Sequence, residues 1–217
     1  MSVPAWADGG RRVVLVSGTP GSGKTTLAGP LAAELGFALL GKDRIKETLH
    51  DGLGAPPPDL AWSRRLGGAA MELLWALAAD APAVVLEANF RPHSEYERGR
   101  IAALGGRLVE VYCRCPAGVA AARYAARAVR SHPVHVVRKV PAAYAAEFDR
   151  PVGMGELIEV DTTRPVDVAG LAGEVRARLA GQVRRDGQVR RDGESGRDGE
   201  SGRGGGARRG GEARRTG

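Results

Sequence analysis

The sequence predicts an α/β fold in which helices cover both faces of a parallel β-sheet. Short apolar segments alternate along the chain with segments whose apolar residues recur at helical spacing. The short segments are almost continuously apolar instead of alternating with polar residues, which is typical of strands buried on both faces. These two observations together favour strands and helices in alternation.

Five strands are predicted from the apolar segments and seven helices from the segments between them. Each predicted strand is followed by at least one helix, as crossovers between parallel strands require. The predicted strands are residues 12–17, 37–40, 83–88, 107–113 and 157–160. The predicted helices are residues 23–35, 44–50, 59–79, 95–104, 116–130, 141–148 and 166–180.

Capping residues mark the ends of three of these helices. Gly36 follows the first helix, where glycine readily adopts the left-handed conformation of a C-terminal cap. Asp43 and Asp59 precede the second and third helices and are expected to be N-terminal caps. The third helix has apolar residues at helical spacing, which predict its buried face: Leu66, Ala69, Ala70, Leu73, Leu74 and Leu77.

A glycine-rich motif joins the first predicted strand to the first predicted helix. Residues 18–25 match Gly-x-x-x-x-Gly-Lys-Ser/Thr, the phosphate-binding P-loop. Glycine lets the backbone approach a phosphate closely, and successive N–H groups at a helix N-terminus bind its oxygens. The residues expected to bind nucleotide phosphates are Gly18, Thr19, Pro20, Gly21, Ser22, Gly23, Lys24, Thr25 and Thr26.

Three side chains of this motif have separate expected roles. Lys24 is expected to reach the β- and γ-phosphates and to act in catalysis. The hydroxyl of Thr25 is expected to bind Mg²⁺, and Thr26 to lie near the α-phosphate. A chance glycine-rich turn would not require both the strand before the motif and the helix after it.

Further candidate residues follow the second strand, because ligands bind beyond the carboxyl ends of strands in such sheets. A carboxylate at Asp43 could accept the proton of an attacking hydroxyl group, as a general base does in phosphoryl transfer. The alternative is that Asp43 only caps the helix, and both roles can hold. Lys46 lies one turn further on the same face, where it binds an anionic group of the acceptor or is simply solvated.

The third strand ends in a carboxylate within an otherwise apolar segment. An ionised Glu87 is costly there unless a cation compensates it. Mg²⁺ is one candidate cation, bound directly or through water, and a buried arginine is the alternative. Asn89 and Arg91 follow on the loop and are expected to face the same cleft and to bind the acceptor.

Three arginines on the helix after the fourth strand predict a helical lid. Arg123, Arg127 and Arg130 are spaced by four and three residues and therefore share one helix face. Such a face is usually only solvated, but arginines directed at a transferring phosphoryl group would stabilise its charge. Arg127 and Arg130 are the predicted catalytic lid residues.

Composition divides the chain into three parts. Residues 1–11 are expected to be a flexible leader, and residues 12–180 the folded domain. Residues 181–217 consist of short Arg-, Gly- and Asp-rich repeats without core-forming side chains and are expected to be disordered. This tail has ten Arg against six acidic residues, so it carries +4 of the net charge of +7.

The location expected from the sequence is the cytoplasm. No apolar segment is long enough to span a bilayer, and residues 1–10 do not have the pattern of a signal peptide. Cys113 and Cys115 are one residue apart near a strand end, where neighbouring side chains point to opposite faces. They are therefore expected to be reduced thiols.

Together these motifs resemble the P-loop small-molecule and polynucleotide 5′-hydroxyl kinases, which include relatives of chloramphenicol phosphotransferase, zeta toxin and adenylate kinase. The resemblance covers about residues 12–179 and is carried by residues 18–26, 43–46 and 84–91. It implies a P-loop NTPase fold with strand order 2-3-1-4-5, ATP with Mg²⁺ as donor, and Asp43 as catalytic base. The chain departs from the group at Glu87, where Asp is common, and at residues 88–90, and these departures concern the acceptor.

The leading hypothesis is a kinase that transfers the γ-phosphate of ATP to a hydroxyl group of a small molecule. A polynucleotide 5′-hydroxyl kinase is the second hypothesis, although the first 180 residues carry a net charge of only +3 and show no evident basic groove. The third is a nucleotide-binding regulatory module without transfer chemistry. Asp43 argues against it, because a switch needs no base beside an acceptor.

Overall fold

A computed structural model of the protein describes residues 10–54 and 59–194, with side chains as far as residue 181. The strands are β1 (Arg12–Ser17), β2 (Ala38–Gly41), β3 (Ala83–Glu87), β4 (Arg107–Arg114) and β5 (Glu156–Asp161). They form one sheet in the order β2-β3-β1-β4-β5, and every neighbouring pair is parallel. The five-stranded parallel sheet and its order, both stated above, are confirmed.

The helices lie between and after these strands. Their bounds are α1 (Lys24–Leu35), α2 (Lys42–Gly52), α3 (Leu60–Asp80), α4 (Glu95–Leu104), α5 (Ala117–Ala128), α6 (Ala142–Ala146) and α7 (Val168–Glu194). The chain divides into two units, Met1–Gln182 and Val183–Gly217, and the sheet with α1 to α6 belongs to the first. Of the second unit, the structure describes only the backbone of residues 183–194, which form the end of α7.

Two apolar cores, one on each face of the sheet, hold the first unit together. Side chains alternate along a strand, so Val14 and Val16 of β1 face one core and Val13 and Leu15 face the other. Helices α1 and α7 cover the first core, and α3 and α4 cover the second. Because β1 is buried over its whole length, the residues that follow it start from a rigid point.

Strand β2 differs from its prediction as a buried strand. It is an edge strand that pairs only with β3, and its first two residues are exposed. Leu39, for example, is 38% exposed. Its composition is as apolar as that of the central strands, and sequence alone does not reveal that it lies at the edge of the sheet.

The buried face of α3 is narrower than predicted. Leu66, Ala70 and Leu74 are buried as expected, whereas Leu73 and Leu77 are 38% and 43% exposed. Ala69 is exposed as well. Most buried residues of α3 form a row four apart, from Leu66 to Ala78, so the residues one position earlier turn away. Ser63 and Trp75 are buried beside this row.

Two of the predicted caps are confirmed and one is wrong. Gly36 is left-handed at the end of α1, with φ 72°, and the Asp59 carboxylate accepts a hydrogen bond from the Trp62 N–H at the start of α3. Asp43 does not cap α2, because that helix already begins at Lys42, with Gly41 as its N-cap. Asp43 therefore lies inside the first turn, where a carboxylate still interacts favourably with the helix dipole.

The last helix runs past its predicted end. We expected it to stop at Ala180, but α7 continues to Glu194. A helix that is already nucleated extends without a new nucleation step, and Gln and Arg favour the extension, although Gly187 and Gly193 oppose it. The structure does not describe residues 1–9 of the expected leader, residues 55–58 between α2 and α3, or residues 195–217 of the tail.

Both cysteines are free thiols, as expected. Cys113 is buried on β4, and this burial raises the pKa of its thiol to about 12, so the thiol stays uncharged. In the part of the chain that the structure describes, we find no helix of the length and apolar character that a membrane crossing requires.

A buried carboxylate on β4 joins two distant parts of the first unit. Glu110 is fully buried, and one of its oxygens accepts the Ser17 hydroxyl at 2.6 Å. The same carboxylate accepts the backbone N–H groups of Val152 at 2.8 Å and Gly153 at 2.9 Å. Ser17 is the last residue before the P-loop, so Glu110 fixes the loop's starting point to the segment after α6.

The substitution Glu110→Gln tests this network. The amide N–H₂ group would face hydrogen-bond donors, so one or two of the groups that now donate to Glu110 would lose their acceptor. This loss should lower the free energy of unfolding by about 2–3 kcal/mol. Urea denaturation measures the change. Glu159→Gln, on an exposed position of β5, is the matched control and should change stability little. Equal stability of both variants would contradict a structural role for Glu110.

Candidate functional site

A cleft of about 1700 Å³ opens at the edge where the strands of the sheet end. The P-loop, α1 and α5 bound one end of it, and α2, α3 and residues 131–140 bound the other. Cavities that hold one drug-sized molecule reach roughly 1000 Å³. The cleft therefore has room for two molecules side by side.

The register of the sheet explains why the polar groups meet there. Glu87 at the end of β3 pairs with Val16 of β1 on one side and with Gly41 of β2 on the other. The P-loop begins two residues after Val16, and Asp43 lies two residues after Gly41. Parallel strands in this order thus bring the ends of three chain segments to one place.

The P-loop adopts a conformation that its glycines permit. Gly18, Gly21 and Gly23 have φ values of 137°, 85° and 95°, which other residues rarely adopt. Gly21 also packs directly against α5, since a Cβ atom there would lie 2.1 Å from the Ala120 carbonyl oxygen. This glycine therefore allows the close packing of α5 on the loop as well as the loop's own turn.

Lys24 is buried at the centre of the P-loop. Its Nζ donates to the carbonyl oxygens of Gly18 and Thr19, at 2.8 Å each. Burial lowers the pKa of Lys24 to about 8, although the nearby Glu87 carboxylate opposes this shift. A phosphate in the loop would supply the negative charge that this ammonium group requires.

The loop also presents hydroxyl groups without an internal partner. Thr19 Oγ1 and Ser22 Oγ are buried and form no hydrogen bond within the described residues. Thr162, from the loop after β5, donates its hydroxyl to the Ser22 carbonyl at 2.5 Å and so supports the loop from behind. Neither Thr19 nor Ser22 lines the cleft, so these hydroxyls belong to the interior behind the loop and not to its phosphate-binding face.

Thr25 and Glu87 place side-chain oxygen atoms beside Lys24 that could serve as metal ligands. The Thr25 hydroxyl donates to Glu87 Oε1 at 3.3 Å. Burial raises the pKa of Glu87, while Lys24 opposes the shift, and within the described residues no arginine forms an ion pair with it. Mg²⁺ prefers oxygen ligands and is commonly bound by one or two protein groups together with phosphates and water. The residues present therefore fit Mg²⁺ with a bound nucleotide.

Asp43 faces the middle of the cleft from the first turn of α2. It is half-exposed, and Lys42 Nζ lies 3.1 Å from its Oδ1. Burial acts to raise the pKa of Asp43, but Lys42, His135 and Lys46 outweigh it and hold the pKa below its usual value. The carboxylate is therefore ionised at neutral pH and able to accept a proton.

The arginines of α5 do not behave as one group. Arg123 donates to the Thr162 carbonyl at 3.0 Å, which ties the helix to the loop after β5. Arg127 lies over the Tyr124 ring at 5.7 Å, and its charge acts on both Lys24 and Glu87. Arg130 lies beyond the end of α5, in an exposed turn at the cleft, so the prediction that it continues the helix face is wrong.

Asn89 and Arg91 both line the cleft, as expected. Arg91 is already engaged, because it pairs with Glu97 at 3.2 Å and with Glu147 at 3.0 Å. It also lies over the Phe148 ring at 5.4 Å. This arginine therefore links α4 to the segment around α6, and its role towards an acceptor stays a prediction.

Residues 131–140 close against α2 through two histidines. His135 Nε2 lies 2.7 Å from Glu47 Oε1, and His132 Nε2 lies 3.0 Å from Asp51 Oδ1. Ser63 was not among the residues predicted for the site; its hydroxyl accepts a hydrogen bond from Lys46 and donates one to the Val134 carbonyl of this segment. The available signal was a polar residue at helical spacing from the buried Leu66.

Comparison with known proteins agrees with this geometry. The family described as an AAA domain matches residues 13–151 of the chain. A solved structure from Chloroflexus aurantiacus j-10-fl, of a protein itself only assigned as a kinase, is 30% identical with a TM-score of 0.68 and covers 77% of this chain and 98% of its own. No curated protein matches the chain.

A second solved structure shows the same fold at low identity. Shikimate kinase from Acinetobacter baumannii, in complex with shikimate, is 17% identical with a TM-score of 0.52 and covers 82% of this chain and 98% of its own. The resemblance to P-loop kinases that residues 18–26 carry is thereby confirmed for the fold.

The substitution Glu87→Gln tests the pairing of Thr25 and Glu87 as a Mg²⁺ site. The amide keeps the shape but removes the charge, so the Mg²⁺ concentration for half-maximal ATP binding should rise about tenfold or more. Fluorescence titration of a labelled ATP analogue at several Mg²⁺ concentrations measures it. Glu34→Gln, exposed on α1, serves as the control. An unchanged Mg²⁺ dependence would exclude Glu87 from the site.

Proposed function

The chain belongs to the AAA-domain family, and on this premise we propose that it is a kinase transferring the γ-phosphoryl group of ATP to a hydroxyl group of a small molecule. The observation that carries the proposal is the ionised Asp43 carboxylate in the same cleft as the Lys24 ammonium group. A module that only bound nucleotide would need the P-loop but no carboxylate facing the cleft from α2.

The residues of the chain divide the chemistry between them. The acceptor oxygen attacks the γ-phosphorus while the bond to the ADP oxygen breaks, and Asp43 receives the hydroxyl proton. Lys24 stabilises the negative charge on the phosphoryl oxygens at the buried end of the cleft. Mg²⁺ held by Thr25, with Glu87 beside it, would neutralise further phosphate charge when bound.

Helix α5 supplies the third contribution. It packs on the P-loop through Gly21 and Ala120. A shift of the helix would therefore also move the loop that binds the phosphates. Arg127 belongs to this helix, and its positive charge acts on Lys24 and Glu87. An arginine in that position adds positive charge where the phosphoryl group carries negative charge in the transition state.

Transfer of label from γ-labelled ATP tests the proposal. Pools of sugars, sugar acids, polyols, aminocyclitols and 5′-hydroxyl oligonucleotides are incubated with the full chain, and the labelled product is isolated. Label in a small molecule supports the proposal, and label confined to oligonucleotides would replace it with the polynucleotide kinase. ATP binding without transfer to any pool would overturn it in favour of a regulatory module.

Asp43→Asn is expected to lose transfer while it still binds ATP. The amide cannot accept the hydroxyl proton, so kcat should fall by about 10²–10⁴-fold. Steady-state kinetics and equilibrium binding of ATP are measured together, with Asp80→Asn at the exposed end of α3 as the control. A parallel loss of ATP affinity would place Asp43 at the metal instead, and unchanged kcat would leave it without a catalytic role.

Arg127→Ala is expected to lower kcat by about 10²-fold with little change in ATP affinity, because its charge acts mainly on the transition state. Arg130→Ala should change kcat in the same direction but less, since the charge of Arg127 acts on Lys24 and Glu87, whereas Arg130 lies beyond the end of α5. Rapid-quench and steady-state kinetics give both parameters. Unchanged kcat in both variants would show that these arginines are only solvated.

A further inference from the structure

Lys46 is a buried lysine at the end of the cleft away from the P-loop. Its side chain is 6% exposed, and it comes from α2, one turn beyond Asp43. Its Nζ donates to Ser63 Oγ at 2.7 Å, and Ser63 in turn donates to the Val134 carbonyl at 2.8 Å. No carboxylate within the described residues lies in ion-pair distance of Lys46, so two of its three N–H donors have no described partner.

We propose that this end of the cleft binds a carboxylate or phosphate group of the acceptor, and that Lys46 is the residue that binds it. The inference rests on the proposed function, because it names the class of the acceptor: a small hydroxyl compound with an anionic group. One expectation for Lys46 was that it is simply solvated. Its low exposure of 6% excludes this, because so little of the residue reaches bulk water.

The charges of the cleft support an anionic occupant. Eleven Lys and Arg residues line it against four Asp and Glu residues. At the end near α2, Asp43 lies beside Lys42 and Glu47 lies beside His135, so both carboxylates have partners other than Lys46. Burial and the neighbouring Lys42 lower the pKa of Lys46 to about 8, and Asp43 and Glu47 only partly oppose this shift.

Asp43 and Lys46 lie close enough for one molecule to contact both. They are three residues apart on α2, a rise of about 4.5 Å along the helix, and the Lys46 charge acts on the Asp43 carboxylate. One acceptor can therefore place a hydroxyl group at Asp43 and an anionic group at Lys46. Arg64 and Lys139 line the same end and form no ion pair among the described residues, so they add positive charge around the anion.

The test must separate anion binding from a purely structural role, because Lys46 also joins α2, α3 and the segment around Val134. Inorganic phosphate and malonate are the probes, titrated by calorimetry into the full chain saturated with Mg²⁺ and a non-hydrolysable ATP analogue, which occupies the P-loop. The variants are Lys46→Gln, Ser63→Ala and Arg150→Gln. Arg150 is exposed outside the cleft, so Arg150→Gln controls for the loss of one charge.

The expected result is one probe site per chain in the wild type, with Kd at least tenfold weaker in Lys46→Gln and unchanged in Arg150→Gln. Ser63→Ala should keep binding within about threefold while its melting temperature falls. The tighter probe identifies the anionic group as a phosphate or a carboxylate. No binding of either probe to the wild type would overturn the proposal, as would equal losses in Lys46→Gln and Ser63→Ala. Binding does not require transfer, so failure of the kinase assignment would appear separately in the labelled-ATP experiment.

Discussion

The burial of β1 on both faces is the constraint on which the rest of this structure depends. Its six residues are all buried between two apolar cores, with β3 on one side and β4 on the other. The end of this strand therefore cannot move without disturbing both cores. The P-loop starts there. The hydrogen bond that Ser17 donates to Glu110 fixes the residue just before the loop. Rigidity of this kind is what a preorganised phosphate site requires, because backbone donors stabilise charge best when they need not reorganise.

The electrostatics of the cleft follow from the same arrangement. Burial lowers the pKa of Lys24 and raises that of Glu87, so both groups are less stably charged than they would be in water. Each partly compensates the other, and neither finds a full partner within the described residues. Lys46 repeats the pattern at the other end of the cleft. The cleft thus holds two buried and only partly compensated lysines, Lys24 and Lys46, together with the ionised carboxylate of Asp43. This arrangement is the basis of the proposed transfer between two anionic molecules.

The segments that enclose the cleft are held by contacts of a different kind. Helix α5 meets the P-loop by backbone packing at Gly21 and is tied to the loop after β5 by Arg123. Residues 131–140 are held to α2 by His132 and His135, whose pairs with Asp51 and Glu47 are partly exposed to water. Exposed ion pairs contribute little to stability. The segment is therefore held chiefly by the fully buried Val134, whose carbonyl accepts the Ser63 hydroxyl.

Much of the fold could be predicted from the sequence, because the signals concerned are local. The P-loop, the alternation of strands and helices, and caps such as Gly36 and Asp59 depend only on residues near one another in the chain. The partial burial of β2, the row of α3 that faces the core, and the end of α5 before Arg130 depend on which surfaces meet, and those predictions were wrong. Tertiary structure also decided the roles of Glu110, Ser63 and Lys46. Their partners lie 17 to 93 positions away along the chain, and no local pattern specifies which donor meets which acceptor across that distance.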